Sequence, residues 1–198
     1  MDRSVARVTR RRQDASDLTY WLSRPMAERI AAVEWLRQQV SEAQPESTDA
    51  ESDFKEFASL LGARGVEHLV VGGYALAAHG HPRYTGDIDF WIRPTPDNID
   101  RLLLALGDFG FGSLGLTRED FGSDSVIQLG HPPRRIDLLT TLDGVEFSDC
   151  WARREVVELG GVTMNIIGRA DFIANKQAVG RLKDLADIEA INQPTDEE

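Results

Sequence analysis

Asp87 and Asp89, in the run DIDFWI, alternate with Ile88, Phe90 and Ile92. In a β-strand, alternate side chains share a face, so both carboxylates project the same way. Like charges held together away from water are costly, so a cation belongs between them. A third carboxylate, Asp137, lies in RRIDLLT between Ile136 and Leu138. A later strand carrying it beside the first would gather three carboxylates around one point. Hard oxygen donors of this kind suit Mg²⁺, or Mn²⁺, which takes further ligands from water and substrate phosphates. Such ions activate an attacking oxygen and stabilise a leaving one in phosphoryl-group transfer. Upstream, Gly72 and Gly73 follow the apolar run Leu69-Val70-Val71 and precede YALAAHG. Glycines where a strand turns into a helix let backbone N–H groups approach a triphosphate closely.

Each of these residues has a plainer reading as well. Asp87 and Asp89 could cap a turn or pair with Arg83, and Asp137 has Arg134 and Arg135 beside it. A glycine pair alone marks only a tight turn. Lys176, Arg181 and Lys183 could reach triphosphate oxygens, where cations counter the charge that develops during transfer. Lys183 could equally pair with Asp184 or Asp187, two residues that read as partners for nearby basic groups. Trp91 shares the face of Asp87 and Asp89, so it either stacks on a base or is covered by a helix. Of the four histidines, at 68, 79, 81 and 131, His79 and His81 flank Gly80 with no carboxylate at ligand spacing. That argues against zinc, though one of them could line a nucleotide site.

The elements that must position these residues alternate from Phe54 onward. FKEFASLLGARG reads as a helix closed by Gly65, EHLVVGG as a strand and YALAAHG as a short helix. DIDFWI is a second strand, followed by the helix TPDNIDRLLLALGDFG. SVIQL and RRIDLLT are further strands joined by the turn GHPP, and REVVEL and VTMNII pair around Gly160-Gly161. Helices through DFIANKQAV and LKDLADIEAI close the chain. The order predicts an α+β fold, a small mixed β-sheet flanked by helices, with an N-terminal helical extension.

That extension divides into parts. Residues 1–17 form a basic tail, 18–40 an amphipathic helical segment and 41–53 an acidic linker broken by Pro45; 54–192 form the main domain and 193–198 a frayed end. In the helical segment Pro25 falls in the first turn, and Met26, Ile30, Val33, Leu36 and Val40 recur at helical spacing. Trp21 and Trp35 add aromatic surface to be buried. A helix with an apolar stripe and no core of its own must dock in cis or on a second subunit, where it would limit access to the site.

Composition bounds the rest. With 198 residues and 41 % apolar content, the chain can form one compact core. A single cysteine, Cys150, excludes an internal disulfide framework. No stretch is apolar for long enough to span a bilayer, and the start lacks the apolar core of a signal peptide. These features predict a cytoplasmic protein with no membrane partner. The net charge is −11, yet residues 1–12 contribute about +4 and the remainder about −15. So acidic a body disfavours tight, non-specific nucleic-acid binding.

Together, GG, DID and the later IDLL resemble the core of the DNA polymerase β-type nucleotidyltransferase superfamily. The fuller GGYALAAHGHPRYTGDIDFWI, with Arg83 and Thr85 before the aspartates, and the closing NKQAVGRLKDLADIEAI are most similar to nucleotidyltransferases of the abortive-infection, type IV toxin–antitoxin kind. The likeness covers roughly residues 54–192. It implies that Gly72 and Gly73 hold a triphosphate and that Arg83, Thr85, Lys176 and Lys183 border it. It also implies that Asp87 and Asp89 bind the metals while Asp137 completes the site and helps deprotonate the acceptor. Members move a nucleoside monophosphate from an NTP to a hydroxyl and release pyrophosphate; the acceptor is a tRNA 3′ end, a small molecule or a protein side chain. A cognate antitoxin or toxin is the implied partner. The larger members continue into a helical domain that helps hold the acceptor, which this sequence does not show. A non-catalytic nucleotide-binding or antitoxin-like module is the reading from another class.

Overall fold

The computed structural model describes residues 20–41, 50–122, 124–131 and 135–192. The basic tail, most of the acidic linker, the frayed end and Arg134 lie outside the described residues. The architecture is α+β, with a six-stranded mixed sheet flanked by helices. The strands are β1 (His68–Val70), β2 (Asp87–Ile92), β3 (Val126–Leu129), β4 (Arg135–Leu139), β5 (Glu155–Leu159) and β6 (Val162–Ile166). They are ordered β3-β4-β2-β1-β6-β5. At the centre β2 runs parallel to β4 and antiparallel to β1, while β1 runs parallel to β6. The outer strands β3 and β5 add antiparallel. Gly160 and Gly161, both at positive φ, close the β5–β6 hairpin, where tight turns call for the left-handed region.

Around the sheet lie α1 (Met26–Ser41), α2 (Ala50–Ala63), α3 (Gly72–Ala78), α4 (Pro96–Leu106), α5 (Phe147–Ala152), α6 (Arg169–Val179) and α7 (Leu182–Ile191). The period-two pattern of β2 sets which side each residue serves. Ile88, Phe90 and Ile92 are buried, and Phe90 meets Phe57 of α2 edge-on, with ring centroids 5.5 Å apart. Asp87, Asp89 and Trp91 take the opposite face. Trp91 does not present its ring to a ligand: it is 2 % exposed, packs edge-on against Phe147 of α5 at 5.0 Å, and its Nε1 donates to the Thr140 carbonyl. The apolar indole at the far end of the strand is core; only the near end is polar.

Two boundaries differ from those read in the sequence. α2 begins at Ala50, so the last residues of the segment read as a linker form its first turn. The carboxylate of Asp53 there suits the positive end of a helix. Pro25 precedes α1 and accepts from the Glu28 and Arg29 amides through its carbonyl, so it opens the helix from outside. α1 lies in cis against α3. Ile30 and Val33 are fully buried there, but so are Glu34 and Arg37, which interrupt the apolar stripe. Trp35, expected to be covered, is 59 % exposed because those charged residues turn the helix face away from it.

This packing separates two neighbouring positions. Ile30→Ala should cost about 2–4 kcal/mol through its cavity, whereas Trp35→Ala should stay within about 0.5 kcal/mol of the parent. Urea denaturation of the full chain measures both, and equal effects would mean that α1 does not dock as described.

Candidate active site

The parallel register of β2 and β4 places Asp89 beside Asp137 and Asp87 beside Arg135. Three carboxylates thus meet on one sheet face, and among the described residues Arg135 is the cation placed between them. Arg135 donates through Nε to Asp137 Oδ1 at 2.8 Å and through Nη2 to Asp87 Oδ2. Thr85, itself buried, donates its hydroxyl to Asp87 Oδ1 at 2.6 Å. Gln128 of β3 donates to Asp137 Oδ2 at 3.2 Å. Asp89 makes no hydrogen bond or ion pair through its side chain among the described residues. Burial first, then the charges of Asp87 and Asp137, push its carboxyl up to about 7; Lys176 and Arg135 pull the other way.

The two glycines sit against this cluster. Gly72 has a φ of 60°, and a Cβ there would overlap the Asp89 carboxylate. A Cβ on Gly73 would meet Thr85 Cβ at 2.9 Å, closer than side chains pack. Bare backbone is what lets the turn before α3 lie on the carboxylates.

The cluster opens into a cleft of about 650 Å³ that Gly72, Gly73, Arg83, Thr85, Asp87, Asp89 and Asp137 all line. Lys176, Arg181 and Lys183 line its other wall. The cations of this wall divide into two sets. Arg83 forks onto Asp187, with Nε and Nη2 donating at 3.1 and 3.0 Å. Lys176 donates to Asp184 Oδ1 and lies 3.2 Å from Asp187 Oδ2. Asp184 and Asp187 of α7 are both buried. Lys183 and Arg181 are exposed and make no ion pair among the described residues. The pairing of Lys183 with Asp184 or Asp187 weighed from the sequence is therefore made by Lys176 instead, one helix earlier.

Chemically, the donor set suits a hard divalent cation, and the raised carboxyl of Asp89 marks a charge that a cation would relieve. The carboxylates are not assembled for one here, because Arg135 holds two of them: among the described residues no group of three or more His, Cys, Asp or Glu stands in a metal-holding arrangement. The histidines stand apart from the cleft. His68, His79 and His81 are buried elsewhere, and burial lowers all three, His68 and His81 to about 4. Cys150 is no nucleophile, since burial pushes its thiol up to about 12. A second groove, of about 590 Å³ between α2 and β6, carries Trp151 and Arg154 but no paired carboxylates. No helix among the described residues is long and apolar enough to cross a membrane.

Arg135 and Gln128 are the site residues that patterning leaves open. Arg135 was one of two candidate partners for Asp137, and only the β2–β4 register shows that it also reaches Asp87. The Gln128 position follows from the β3–β4 pairing, which a single sequence does not reveal.

Compared with protein-family models and with curated proteins, the chain matches none. Among solved structures it is similar to an antigenic nucleotidyltransferase-like protein from Paracoccidioides brasiliensis. The likeness has 17 % identity and a TM-score of 0.42, over 73 % of this chain and 76 % of that one. So loose an overlap assigns neither residues nor activity.

Two substitutions probe the cluster without any ligand. The Asp89 carboxyl titrates at about 7 when folded, against 3.8 ordinarily. Between those values the folded chain holds a proton that the unfolded chain has lost, so stability falls as pH rises through this window and stays lower above it. Asp89→Asn should therefore stabilise the protein at pH ~8 on the order of 2 kcal/mol, after discounting for screening at the cleft. Near pH ~4 it should have little effect. Thermal melts at the two pH values check this, and a destabilised variant at the higher pH contradicts it. Gly72→Ala should cost about 1 kcal/mol or more, since alanine is strained at positive φ and displaces Asp89; urea denaturation reads it.

Proposed function

We propose that this protein is a nucleotidyltransferase, with residues 54–192 as the transferase unit, moving an NMP from an NTP to an acceptor hydroxyl. The observation that carries the reading is the convergence of Asp87, Asp89 and Asp137 on one face, with side-chain-free Gly72 against them, in a cleft whose far wall is cationic. The likeness of its motifs to polymerase β-type nucleotidyltransferases supports the same reading.

Asp87, Asp89 and Asp137 would hold Mg²⁺ or Mn²⁺ once Arg135 gave up the two carboxylates it bridges; when bound, the ion would supply neutralising charge and activate the attacking oxygen. The chain's own part is positioning. Gly72 and Gly73 offer unobstructed backbone to the polyphosphate, while Thr85 steers Asp87. Arg181 and Lys183, exposed and without an ion pair among the described residues, would be the cations first met by an incoming polyphosphate. Arg83 and Lys176 add charge from behind them while held by α7. In the transfer, the acceptor oxygen bonds to the α-phosphorus and the α–β bridging bond breaks, with its electrons leaving on pyrophosphate. The hydroxyl proton passes to a carboxylate, with Asp137 as the candidate.

By likeness to the toxin–antitoxin transferases, the acceptor is a tRNA 3′ end, and a cognate antitoxin is the partner. A second reading, with a small molecule or protein hydroxyl as acceptor, is favoured by a specific feature: Asp124 and Asp143 line the cleft on its β3–β4 side, where they would repel a phosphate backbone.

The test is transfer from each α-labelled NTP, with Mg²⁺, to total tRNA, to lysate and to the protein itself. Asp87→Ala/Asp89→Ala should lose at least about a hundredfold of the activity if the carboxylates stabilise the transition state. Label on one acceptor names the substrate. Metal-dependent NTP binding without transfer would favour a nucleotide-binding, antitoxin-like module, and neither binding nor transfer would end the reading.

A further inference from the structure

α1 reaches the candidate site through one buried side chain. It crosses α3 with the two helices running in opposite directions: Arg29 donates to the Ala78 carbonyl at the C-terminal end of α3, and Arg37 meets Tyr74 near its N-terminal end. Tyr74 is fully buried and follows Gly73 directly. Arg37 donates through Nη1 to the Tyr74 hydroxyl, which in turn donates to Glu34 Oε1. Arg37 and Glu34 are themselves 3.6 Å apart, and Arg37 is only 2 % exposed. Burial lowers its guanidinium from the ordinary value, and the charges of Glu34, Tyr84 and Asp87 act the other way. No described residue of α1 lines the cleft.

A buried ion pair is a poor source of stability, because desolvation cancels most of its attraction. What it does supply is position. The Tyr74 ring leans on Phe54, with centroids 5.1 Å apart, and its hydroxyl is held from both sides. The residue two places before it, Gly72, must keep a left-handed backbone against Asp89. Fixing Tyr74 at both ends of its side chain therefore fixes the first turn of α3, the part that faces the cleft.

We propose that α1 is a working part of the nucleotide site: Arg37 and Glu34, acting through the Tyr74 hydroxyl, are positioning residues that set the Gly72–Gly73 turn for a polyphosphate. The proposal rests on the nucleotidyltransferase reading for its ligand, but not for the link between the helices. It reverses the expectation that the N-terminal helix limits access, because here the helix makes the site competent.

The experiment uses the full chain and Mg²⁺-ATP, with affinity read by titration calorimetry. Tyr74→Phe keeps the ring and removes only the hydroxyl, so it should weaken ATP about fivefold to tenfold, the effect of one lost buried hydrogen bond. Arg37→Met should match it, while Arg37→Lys, which keeps a donor, should stay within about twofold of the parent. The double variant Arg37→Met/Tyr74→Phe should bind no more weakly than Arg37→Met alone, since both cut one chain of contacts. Unchanged affinity in the single variants, or losses that add, would overturn the proposal. Should Arg37→Met not fold, Tyr74→Phe and Arg37→Lys decide the matter.

If the parent binds neither ATP nor any other NTP, the nucleotidyltransferase reading fails and the helix link is judged separately by hydrogen exchange. Amides of residues 75–78 should then exchange about tenfold faster in Tyr74→Phe, with those of β4 unchanged. Equal exchange in α3, or an acceleration shared with β4, would sink it.

Discussion

Three carboxylates forced onto one face by the parallel pairing of β2 and β4 repel one another, and much of the surrounding structure answers that repulsion. The pairing is set on the opposite face. Ile88, Phe90 and Ile92 are buried, Phe90 against α2, and a slip of one residue would send all three to the polar side. Register is therefore fixed by hydrophobic burial, and the carboxylates are carried along. Arg135 then bridges two of them, Thr85 and Gln128 take up further oxygens, and Asp89 is left with no direct partner among the described residues. The repulsion is contained but not removed, and what remains of it is concentrated on one oxygen pair facing the cleft.

A complementary arrangement holds the cationic wall. α7 docks through Asp184 and Asp187, which take Lys176 and Arg83, with Ala190 and Ile191 as its buried apolar residues. Its leucines are consequently left outside: Leu182 is 88 % exposed. The wall thus contains charges already balanced by the fold, set behind Arg181 and Lys183, which make no ion pair among the described residues. Pairing holds Arg83 and Lys176 against α7, while Arg181 and Lys183 are exposed at the cleft.

The sequence displays the parts of this scheme that follow a simple period. Alternation in DIDFWI shows that Asp87 and Asp89 share a face, and the glycines after an apolar run mark the turn beside them. The mixed sheet follows from strands and helices in alternation. Side chains that break their own pattern are harder to read. Trp91 lies in phase with the aspartates yet belongs to the core, because α5, from a distant part of the chain, covers that end of the strand. Trp35 looks like a residue to be buried, while Glu34 and Arg37 look like solvated charges; the helix does the reverse with all three. No periodicity can show this, since buried charges are tolerated only where a partner waits, and here that partner is Tyr74, 37 residues beyond Arg37. Pairings such as Arg83 with Asp187, 104 residues apart, are hidden for the same reason.

Buried charge is where this protein departs furthest from what stability alone would select. Asp89, without a direct partner among the described residues, and the Glu34–Arg37 pair on α1 could each be replaced by uncharged groups of similar shape with little loss of folding free energy. Proteins retain such features where function depends on them, and the surrounding burial offsets the cost. Both lie within a few residues of the Gly72–Gly73 turn in space: Asp89 packs on Gly72, and Arg37 is bonded to the residue after Gly73. Two independent departures converging on one turn both support the proposed site there. On the proposed reading they also make α1 a part of that site, although its sequence reads as an appendage.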